Sequence, residues 1–240
     1  MSARILRHLS AVDPVLAGVI AEAGPYRVKP DRTSSPFQAL ARAVAHQQLN
    51  GVVANRILER FVAGCGGGSF PTPERVLAAS DSELRAAGFS LAKIAALRDL
   101  ALKTQAGIVP AREVLETLAD DVVVERLTAV RGIGRWTVEM MLMFQLGRPD
   151  VLPVDDFGVR NGFRLAYGLR KLPAPRALAA YGERWRPHRT AASWYLWRVI
   201  ELAKAGKLPA PAEKIRLPRI ARRRKRVRAV LDRLGRSKTV

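Results

Sequence analysis

Residues 127–142, LTAVRGIGRWTVEMML, contain two apolar helical segments separated by a short turn. Gly132 and Gly134 bracket Ile133 in this turn, and glycine permits a positive φ and a close approach of the backbone to another molecule. The second helix begins at the turn, so its free N–H groups and positive dipole end face outward, where they favour a phosphate oxygen. Ile133 is placed to fill the gap between the helices. The stretch predicts a phosphate-holding helical hairpin; the alternative is an ordinary turn between two helices.

The rest of the chain also carries the start signals of a helical protein. Helix starts are expected at a series of Ser, Thr, Asp and Pro positions, namely Asp13, Ser35, Thr72, Asp81, Ser90, Asp155, Pro173 and Pro187. No segment shows the period-2 alternation of a strand, and no internal repeat is found. The sequence therefore predicts an all-α fold of roughly ten short helices.

The chain of 240 residues is strongly basic, with 41 Lys and Arg against 21 Asp and Glu and a formal net charge of +20. Residues 214–240 hold 12 basic residues and one acid, so +11 of the charge lies there and about +9 remains in the body. A basic body predicts a polyanionic partner, with nucleic acid ahead of an acidic membrane surface. We expect a helical core over 1–211 and a basic tail over 212–240.

Cysteine content and hydropathy exclude several classes of protein. The single cysteine, Cys65, excludes a disulfide framework, a four-cysteine iron–sulfur cluster and a cysteine-based zinc site. No apolar run has the length of a signal peptide or a transmembrane helix. His46 and His188 have no nearby acid or cysteine that would complete a metal site. We expect a soluble cytoplasmic protein with no metal ligand set.

Four segments together resemble a known superfamily. The hairpin is followed some twenty residues later by PVDD at 153–156, and it is preceded by PFQALARAVAHQQLN (36–50) and GFSLAKIAALRDLA (88–101). Between about Phe37 and Ala203 the chain resembles the helix-hairpin-helix DNA glycosylases, most closely the alkylation-repair branch of bacterial 3-methyladenine DNA glycosylase II. The resemblance implies a two-lobed helical core with the active site in the cleft between the lobes. It also implies a monomer that acts on damaged double-stranded DNA in base excision repair.

Two features depart from the family pattern. Arg131 stands where the family usually has proline before Gly-Ile-Gly, so it either loosens the turn or adds a phosphate contact. There is also little room before residue 36 for the separate β-rich N-terminal domain of the bacterial enzyme. We therefore expect a compact form that consists of the helical core.

Adjacent carboxylates, Asp155 and Asp156, interrupt this otherwise basic chain. Cleavage of an N-glycosidic bond builds positive charge on the sugar, which a carboxylate can stabilise while it orients or deprotonates water. Asp156, Val159 and Phe163 fall at i, i+3 and i+7, so Asp156 lies on the inward face of a helix, and the family's catalytic aspartate also aligns with it. Asp155 is better placed to cap the helix. Asp156 is the predicted catalytic residue; the alternative is that both acids only cap.

The resemblance also implies a pocket for a flipped base. Trp136 and Trp197 match the pocket tryptophans of the alkylation branch, and Phe37 is a third candidate for base contact. Electron-rich rings attract cationic alkylated purines. A core position on the last helix is the alternative for Trp197.

Trp136 bears on the reaction as well. Superfamily members that also cut the DNA backbone carry a lysine at this position, whose amine forms a Schiff base with the sugar. An indole cannot do so. We therefore expect a monofunctional enzyme that removes alkylated purines such as 3-methyladenine or 7-methylguanine with water and has no lyase activity.

The remaining candidates are DNA contacts. Gln48 and Leu49, in the loop AHQQLNG (45–51), are candidates for the side chain that fills the gap left by the flipped base; alternatively Gln47 and Gln48 only bind the loop backbone. The hairpin supplies five further candidates, Arg131, Gly132, Ile133, Gly134 and Arg135. No cofactor is expected, although a monovalent cation on carbonyls of the hairpin turn, as is common in the family, stays open.

Two other functions stay open at this point. A non-catalytic helix-hairpin-helix protein would use the same phosphate grip without chemistry. A glycosylase for deaminated bases such as hypoxanthine or uracil would share the hairpin and Asp156. The missing hairpin lysine weighs against the usual enzymes for oxidised bases.

Overall fold

The computed structural model describes residues 2–215 and 217, and this part of the chain contains no β-strand. The all-α prediction is confirmed, with more helices than expected because several are only six or seven residues long. In chain order the helices are α1 (Ser2–Val12), α2 (Pro14–Ala23), α3 (Pro36–His46), α4 (Gly51–Gly66), α5 (Pro73–Ala78), α6 (Asp81–Ala87), α7 (Leu91–Gln105), α8 (Arg112–Thr117), α9 (Asp120–Thr128), α10 (Arg135–Phe144), α11 (Phe157–Ala166), α12 (Pro175–Gly182) and α13 (Arg189–Lys204).

The helices form two lobes, each around its own apolar core. Helices α3–α10 surround the first core, whose residues all lie between Phe37 and Val151. Helices α1 and α2 join α11–α13 around the second core, which resumes at Leu152 directly after the first core ends. The two-lobed helical prediction is therefore confirmed; the chain passes from the second lobe to the first between α2 and α3 and returns at residues 151–152.

The N-terminal segment completes the second lobe. Asp13 is fully buried and caps α2 by accepting the Leu16 N–H at 3.0 Å. Its other oxygen accepts from the Tyr167 hydroxyl at 2.5 Å and from the Trp185 indole N–H at 2.8 Å. Burial, and next the Asp13 carboxylate, raise the pKa of Tyr167 well above its usual value, which keeps this hydroxyl a donor. The residues before 36 are thus part of the helical core.

Four of the eight predicted helix starts are confirmed, at Asp13, Ser35, Thr72 and Ser90, and four are displaced. Ser35 and Gln38 form a reciprocal capping box at α3. Helix α6 is capped by Ser80 instead of Asp81, because Ser80 and Glu83 form a second box. The other three displaced starts are α11, which begins at Phe157 and not at Asp155, α12, which begins at Pro175 and not at Pro173, and α13, which begins at Arg189 and not at Pro187.

The chain beyond α13 still contacts the core. Leu208, Ile215 and Leu217 are partly buried against the second core. Residues 216 and 218–240, which include most of the predicted basic tail, lie outside the described residues. Of the helices in residues 2–215 and 217, none combines the length and apolarity that a membrane span requires.

Candidate active site

Asp156 lies where the two lobes meet. Its backbone is extended, with φ −65° and ψ 124°, and its Oδ1 accepts the Val159 N–H at 2.6 Å, so Asp156 itself caps α11. The prediction that Asp155 caps this helix is wrong. Asp155 is exposed and lies one residue before the N-cap position. The helix begins at Phe157, so the residue whose side chain accepts a free N–H of the first turn is Asp156.

Two indole groups complete the surroundings of the Asp156 carboxylate. The Trp197 Nε1–H donates to Oδ1 at 2.9 Å, and the Trp136 Nε1–H donates to Oδ2 at 2.8 Å. Trp136 stands in the first turn of α10, in the first lobe, whereas Trp197 is carried by α13 and packs against both cores. The structure therefore brings together three side chains that sequence reasoning selected separately.

Two glycines allow α13 to approach α11 closely enough for this contact. A Cβ on Gly162 would overlap the backbone carbonyl of Leu196. A Cβ on Gly158 would lie 2.8 Å from Cδ1 of Trp197 and 3.1 Å from Oδ1 of Asp156. The spacing Gly-x-x-x-Gly on α11 is the sequence signal that would have found this face, since residues four apart share one side of a helix.

A pocket of about 620 Å³ opens beside Trp136. Its walls come from α3 and α10 and are largely apolar, with Ala39, Ala43, Met140 and Phe144 among them, and Trp136 borders it. Trp136 is 48% exposed, so part of the residue is accessible to a ligand. Since the same indole hydrogen-bonds Asp156, the pocket and the carboxylate are adjacent. This is the size and chemistry of a site for a small, mostly apolar group.

Trp197 is not among the residues that line this pocket, and it packs against both cores. Its ring centroid lies 5.9 Å from that of Phe144, which lines the pocket, with 32° between the planes. The core alternative for Trp197 is therefore confirmed, and its direct contact with a base stays a prediction.

Phe37 does not lie in this pocket. It is 4% exposed, belongs to the first core and borders a second cavity of about 450 Å³ together with Phe70 and Pro71. Its assignment as a base contact is therefore wrong. An apolar residue on the buried face of α3 satisfies the helical pattern equally well in a core and in a pocket, and here the core is the outcome.

The hairpin consists of α9, a turn over 129–134 and α10. Gly132 adopts φ +77°, and Gly134 caps α10 without a side chain, so no side-chain hydrogen bond covers the first N–H groups of that helix. Arg131 and Arg135 are exposed on either side of the turn. The arrangement has the open helix N-terminus and flanking cations that a phosphate requires.

Ile133 is an exception among the hairpin candidates. Its side chain is 4% exposed in the first core, and its N–H donates to the Val130 carbonyl at 3.0 Å. Its expected place between the two hairpin helices is therefore confirmed, and a DNA contact by this residue stays a prediction.

Helix α7 fixes the turn from behind. The Arg131 N–H donates to Oδ2 of Asp99 at 2.6 Å, and Lys103 Nζ lies 2.7 Å from the same oxygen and 2.5 Å from the Ala129 carbonyl. Burial raises the pKa of Asp99, but these donors outweigh it and lower the pKa overall. A proline at 131 lacks the N–H that Asp99 accepts. The departure from the family pattern thus corresponds to a specific contact.

The carbonyls of the turn are already engaged by protein donors. Lys103 occupies that of Ala129, the Gln47 amide occupies that of Gly132 at 2.8 Å, and the Ile133 N–H occupies that of Val130. Each of these oxygens keeps a second lone pair, so a monovalent cation at the turn stays a prediction. Within residues 2–215 and 217, no three His, Cys, Asp or Glu side chains cluster as a metal site.

Sequence reasoning missed a buried acid behind the site. Glu139 on α10 is 6% exposed, and its Oε1 pairs with Arg135 Nε at 3.0 Å. Burial raises the pKa of Glu139, Arg135 opposes that effect, and the Asp155 and Asp156 carboxylates add to it. The i, i+4 spacing of Arg135 and Glu139 is the signal that was available. The pair directs an exposed guanidinium beside the open end of α10.

The loop between α3 and α4 stands at the rim of the pocket. Gln48 borders the pocket and has φ +58°, and Leu49 is 39% exposed. The sequence offers a contact to the loop backbone as one alternative for Gln47. In the structure its side-chain amide donates to the Gly132 carbonyl of the hairpin instead. His46 also lies at the rim, whereas His188 packs edge-on against His8 in the other lobe, with ring centroids 5.2 Å apart.

Known proteins provide an independent comparison. Residues 41–187 match the family model of the HhH-GPD superfamily base excision DNA repair proteins. DNA-3-methyladenine glycosylase 1 of Schizosaccharomyces pombe is 43% identical over 199 residues, which cover 82% of this chain and 86% of that protein. The solved structure of 3-methyladenine DNA glycosylase from the same yeast, in complex with abasic DNA, has a TM-score of 0.74 and 41% identity, covering 83% of this chain and 98% of that one. The solved structure of DNA-3-methyladenine glycosidase of Bacillus halodurans has a TM-score of 0.77 and 34% sequence identity. The match covers 85% of this chain and 94% of that one.

Proposed function

The chain belongs to the HhH-GPD superfamily of base excision DNA repair proteins, and we propose that it is a monofunctional DNA glycosylase that releases alkylated purines from duplex DNA. The observation that carries the proposal is the Asp156 carboxylate, held by two indole N–H groups beside an aromatic pocket where the lobes meet. An acid at this one place on a strongly basic protein suits a reaction that builds positive charge on a sugar.

The two oxygens of Asp156 have different tasks in this reaction. Oδ1 accepts two N–H groups, from Val159 and Trp197, and so fixes the side chain. Oδ2 accepts the Trp136 N–H and retains capacity to meet the sugar. As the C1′–N bond breaks, its electrons leave with the base, and the carboxylate stabilises the positive charge at C1′ and the ring oxygen. Water then adds at C1′ and gives its proton to the Asp156 carboxylate, which passes it to solvent, and an abasic site is left.

The pocket receives the flipped base. Unstacking a base costs a few kcal/mol, and stacking on an aromatic ring offsets this. Trp136 presents the exposed ring, and the apolar walls from α3 and α10 exclude water around the base. An alkylated purine with a positive charge gains an additional cation–π attraction from the indole. A cationic base is also a better leaving group, which suits a site that has one carboxylate as its main catalytic resource.

The hairpin positions the duplex. The free N–H groups at the start of α10, with Arg131 and Arg135 on either side, bind a backbone phosphate without reading sequence. Loop residues Gln48 and Leu49 enter the duplex from the rim of the pocket. Gln48 lies nearer the pocket wall, so Leu49, at the exposed tip, is the side chain that fills the gap.

Water is the nucleophile. The position two residues after Gly134 holds a tryptophan, and the ammonium groups of Lys93 and Lys103 are each bound to a backbone carbonyl, that of Ala45 and that of Ala129. These contacts support a reaction in which no amine attacks the sugar. We further propose that the protein acts as a monomer in the cytoplasm, on DNA of the nucleoid, which light scattering and cell fractionation would test.

A release assay tests the function. The protein is incubated with duplexes that carry 7-methylguanine, with DNA methylated to contain 3-methyladenine, and with duplexes that carry hypoxanthine or uracil. We expect free alkylated purine and abasic DNA. Tight binding without release from any duplex would indicate a non-catalytic DNA-binding protein, and release of hypoxanthine or uracil alone would indicate a glycosylase for deaminated bases.

A further inference from the structure

The loop over 47–50, between α3 and α4, has an energetically unfavourable backbone conformation. Gln48 has φ +58°, and among residues 2–215 and 217 it is the one non-glycine residue with a positive φ. Such a backbone persists only where its surroundings impose it. Leu49 follows directly and is 39% exposed, at the tip of the loop. The loop therefore presents an apolar side chain from a backbone that its neighbours fix.

Both ends of the loop are anchored. At the downstream end, Oδ1 of Asn50 accepts the Val53 N–H at 2.9 Å and caps α4. At the upstream end, Lys93 Nζ on α7 donates to the Ala45 carbonyl at 2.7 Å, near the last turn of α3. Burial lowers the pKa of this lysine, which is consistent with a structural contact and not a solvated one.

Gln47 connects this loop to the hairpin. Its Nε2 donates to the Gly132 carbonyl at 2.8 Å, across 85 residues of sequence. The acceptor lies in a turn that is itself restrained, because the adjacent Arg131 N–H donates to Oδ2 of Asp99 on α7 at 2.6 Å. The loop and the phosphate-binding turn are thus joined by one side-chain amide.

We propose that Gln47 is a positioning residue that couples insertion of Leu49 to the grip of the hairpin on a phosphate. This inference rests on the proposed glycosylase function. Extraction of a paired base requires the loop to enter the duplex while the backbone is held, and the hydrogen bond sets the distance between the two. A base that is already unpaired does not need this coupling, since its extraction costs less.

The test compares two duplexes that each carry one 7-methylguanine, opposite cytosine or opposite an abasic-site analogue. The variant Gln47→Met keeps the length of the side chain but cannot donate. We expect its single-turnover release from the paired duplex to be about tenfold slower, near the upper end for one neutral hydrogen bond, and release from the unpaired duplex to change by less than about twofold.

Gln105→Met is the matched control. It removes another glutamine donor, whose Nε2 lies 3.0 Å from Oε1 of Glu74 outside the site, and should leave both rates unchanged. Gln47 also lines the pocket, so equal slowing of Gln47→Met on both duplexes would mean that it acts there or through the fold and would overturn the coupling, as would full activity on both. Failure of the proposed function has a different result: the unaltered protein would release no base from either duplex.

Discussion

The indole N–H of Trp197 donates to Oδ1 of Asp156 at 2.9 Å, and this hydrogen bond joins the last helix of the core to the cap of α11. Oδ1 also accepts the Val159 N–H, so the same oxygen caps α11 and accepts the indole N–H from α13. Oδ2 instead faces Trp136 of the other lobe. The geometry of the carboxylate therefore depends on the packing of both lobes, and variants can separate its charge from its position.

Asp156→Asn should abolish most excision while the fold and DNA binding persist. The amide oxygen of Asn can still accept the Val159 and Trp197 N–H groups, so the cap survives. The loss of the negative charge removes transition-state stabilisation, for which we expect a fall of about 100- to 1000-fold in the single-turnover rate. Affinity for damaged duplex should be equal or tighter, since a charge that repels phosphate is gone.

Asp155→Asn provides the matched control. Asp155 is exposed and does not cap α11, so the variant should keep nearly full activity and stability. An inactive Asp155→Asn beside an active Asp156→Asn would reverse the assignment of the catalytic carboxylate.

Gly158→Ala should slow excision through Trp197. The new Cβ would stand 2.8 Å from Cδ1 and 2.9 Å from Nε1 of that indole, which must move and lengthen its hydrogen bond to Asp156. We expect a loss of about tenfold in the single-turnover rate, the worth of one hydrogen bond to a charged group, with little change in DNA affinity. The maximal rate and the affinity are measured separately, because a general defect of folding would lower both.

Gly64→Ala is the control for that substitution. Gly64 is also a helical glycine, in α4, but no atom lies within 4 Å of its added Cβ. This variant should be fully active and slightly more stable, because alanine is favoured over glycine in a helix by up to about 1 kcal/mol. If both alanine variants lose the same activity, the effect does not depend on Trp197.

Local signals account for what the sequence predicted correctly. The Ser35 capping box and the glycines of the hairpin act over three or four residues, so their outcome is visible in the chain itself. The choice between Asp155 and Asp156 as the cap depends on one backbone angle, which a sequence does not contain. Phe37 fits a core and a pocket equally well. The errors therefore concern single positions inside a correctly predicted fold.

Contacts between distant segments account for what was missed. Gln47 and Gly132 are 85 residues apart, and nothing in either segment selects the other. The sequence did select Asp156 and Trp197, but as candidates for separate tasks, and their hydrogen bond depends on the close approach of α11 and α13 that Gly158 permits. The chemistry of the residue types was therefore sufficient to select Asp156 and Trp197 from the sequence. The contacts that position them are visible only in the folded structure.

Arg131→Pro should destabilise the hairpin, although proline is what the sequence resemblance predicts at this position. Proline removes the N–H that donates to Asp99 at 2.6 Å and leaves that carboxylate dependent on Lys103. Loss of a hydrogen bond to a charged group costs about 1.5–3 kcal/mol. We expect a lower Tm and weaker binding to damaged and undamaged duplexes alike, since phosphate contacts carry no sequence information.

Arg131→Ala separates the backbone from the side chain. It retains the N–H and should therefore keep the Tm, but it removes one cation near the phosphate. The salt dependence of binding should become shallower by up to about 0.9 in the log–log slope. A Tm of Arg131→Pro equal to that of the unaltered protein would show that the Asp99 contact does not stabilise the turn.

The basic tail should add affinity without affecting chemistry. The tested truncation ends at Leu217, because Ile215 and Leu217 still pack against the second core. It removes residues 218–240, which hold 10 Lys and Arg and one acid. We expect weaker DNA binding and a shallower salt dependence, with single-turnover release at saturating protein nearly unchanged. An identical salt slope with and without these residues would show that they do not touch DNA.

Trp136 should contribute to excision through both its ring and its N–H. Trp136→Phe keeps a ring but loses the donor to Oδ2 of Asp156, so it should slow excision of every substrate by a similar factor. Trp136→Ala loses the ring as well and should slow release of cationic 7-methylguanine more than that of neutral hypoxanthine. The difference reflects cation–π attraction, on the order of 1–2 kcal/mol in a desolvated pocket. Equal losses on both substrates for Trp136→Ala would leave shape, and not charge, as the contribution of the ring.

The product of the reaction is the sharpest test of the role of Trp136. An indole cannot form a Schiff base, so excision should leave an intact strand that breaks only after alkali or heat. Borohydride added during the reaction should trap no covalent adduct between protein and DNA, because reduction requires an imine carbon. Gel analysis of one reaction divided between neutral, alkaline and borohydride treatment measures all three outcomes on the same DNA. A trapped adduct with the unaltered protein would overturn the monofunctional assignment, and the responsible lysine would then be sought at Lys93 and Lys103, whose carbonyl contacts would have to break first.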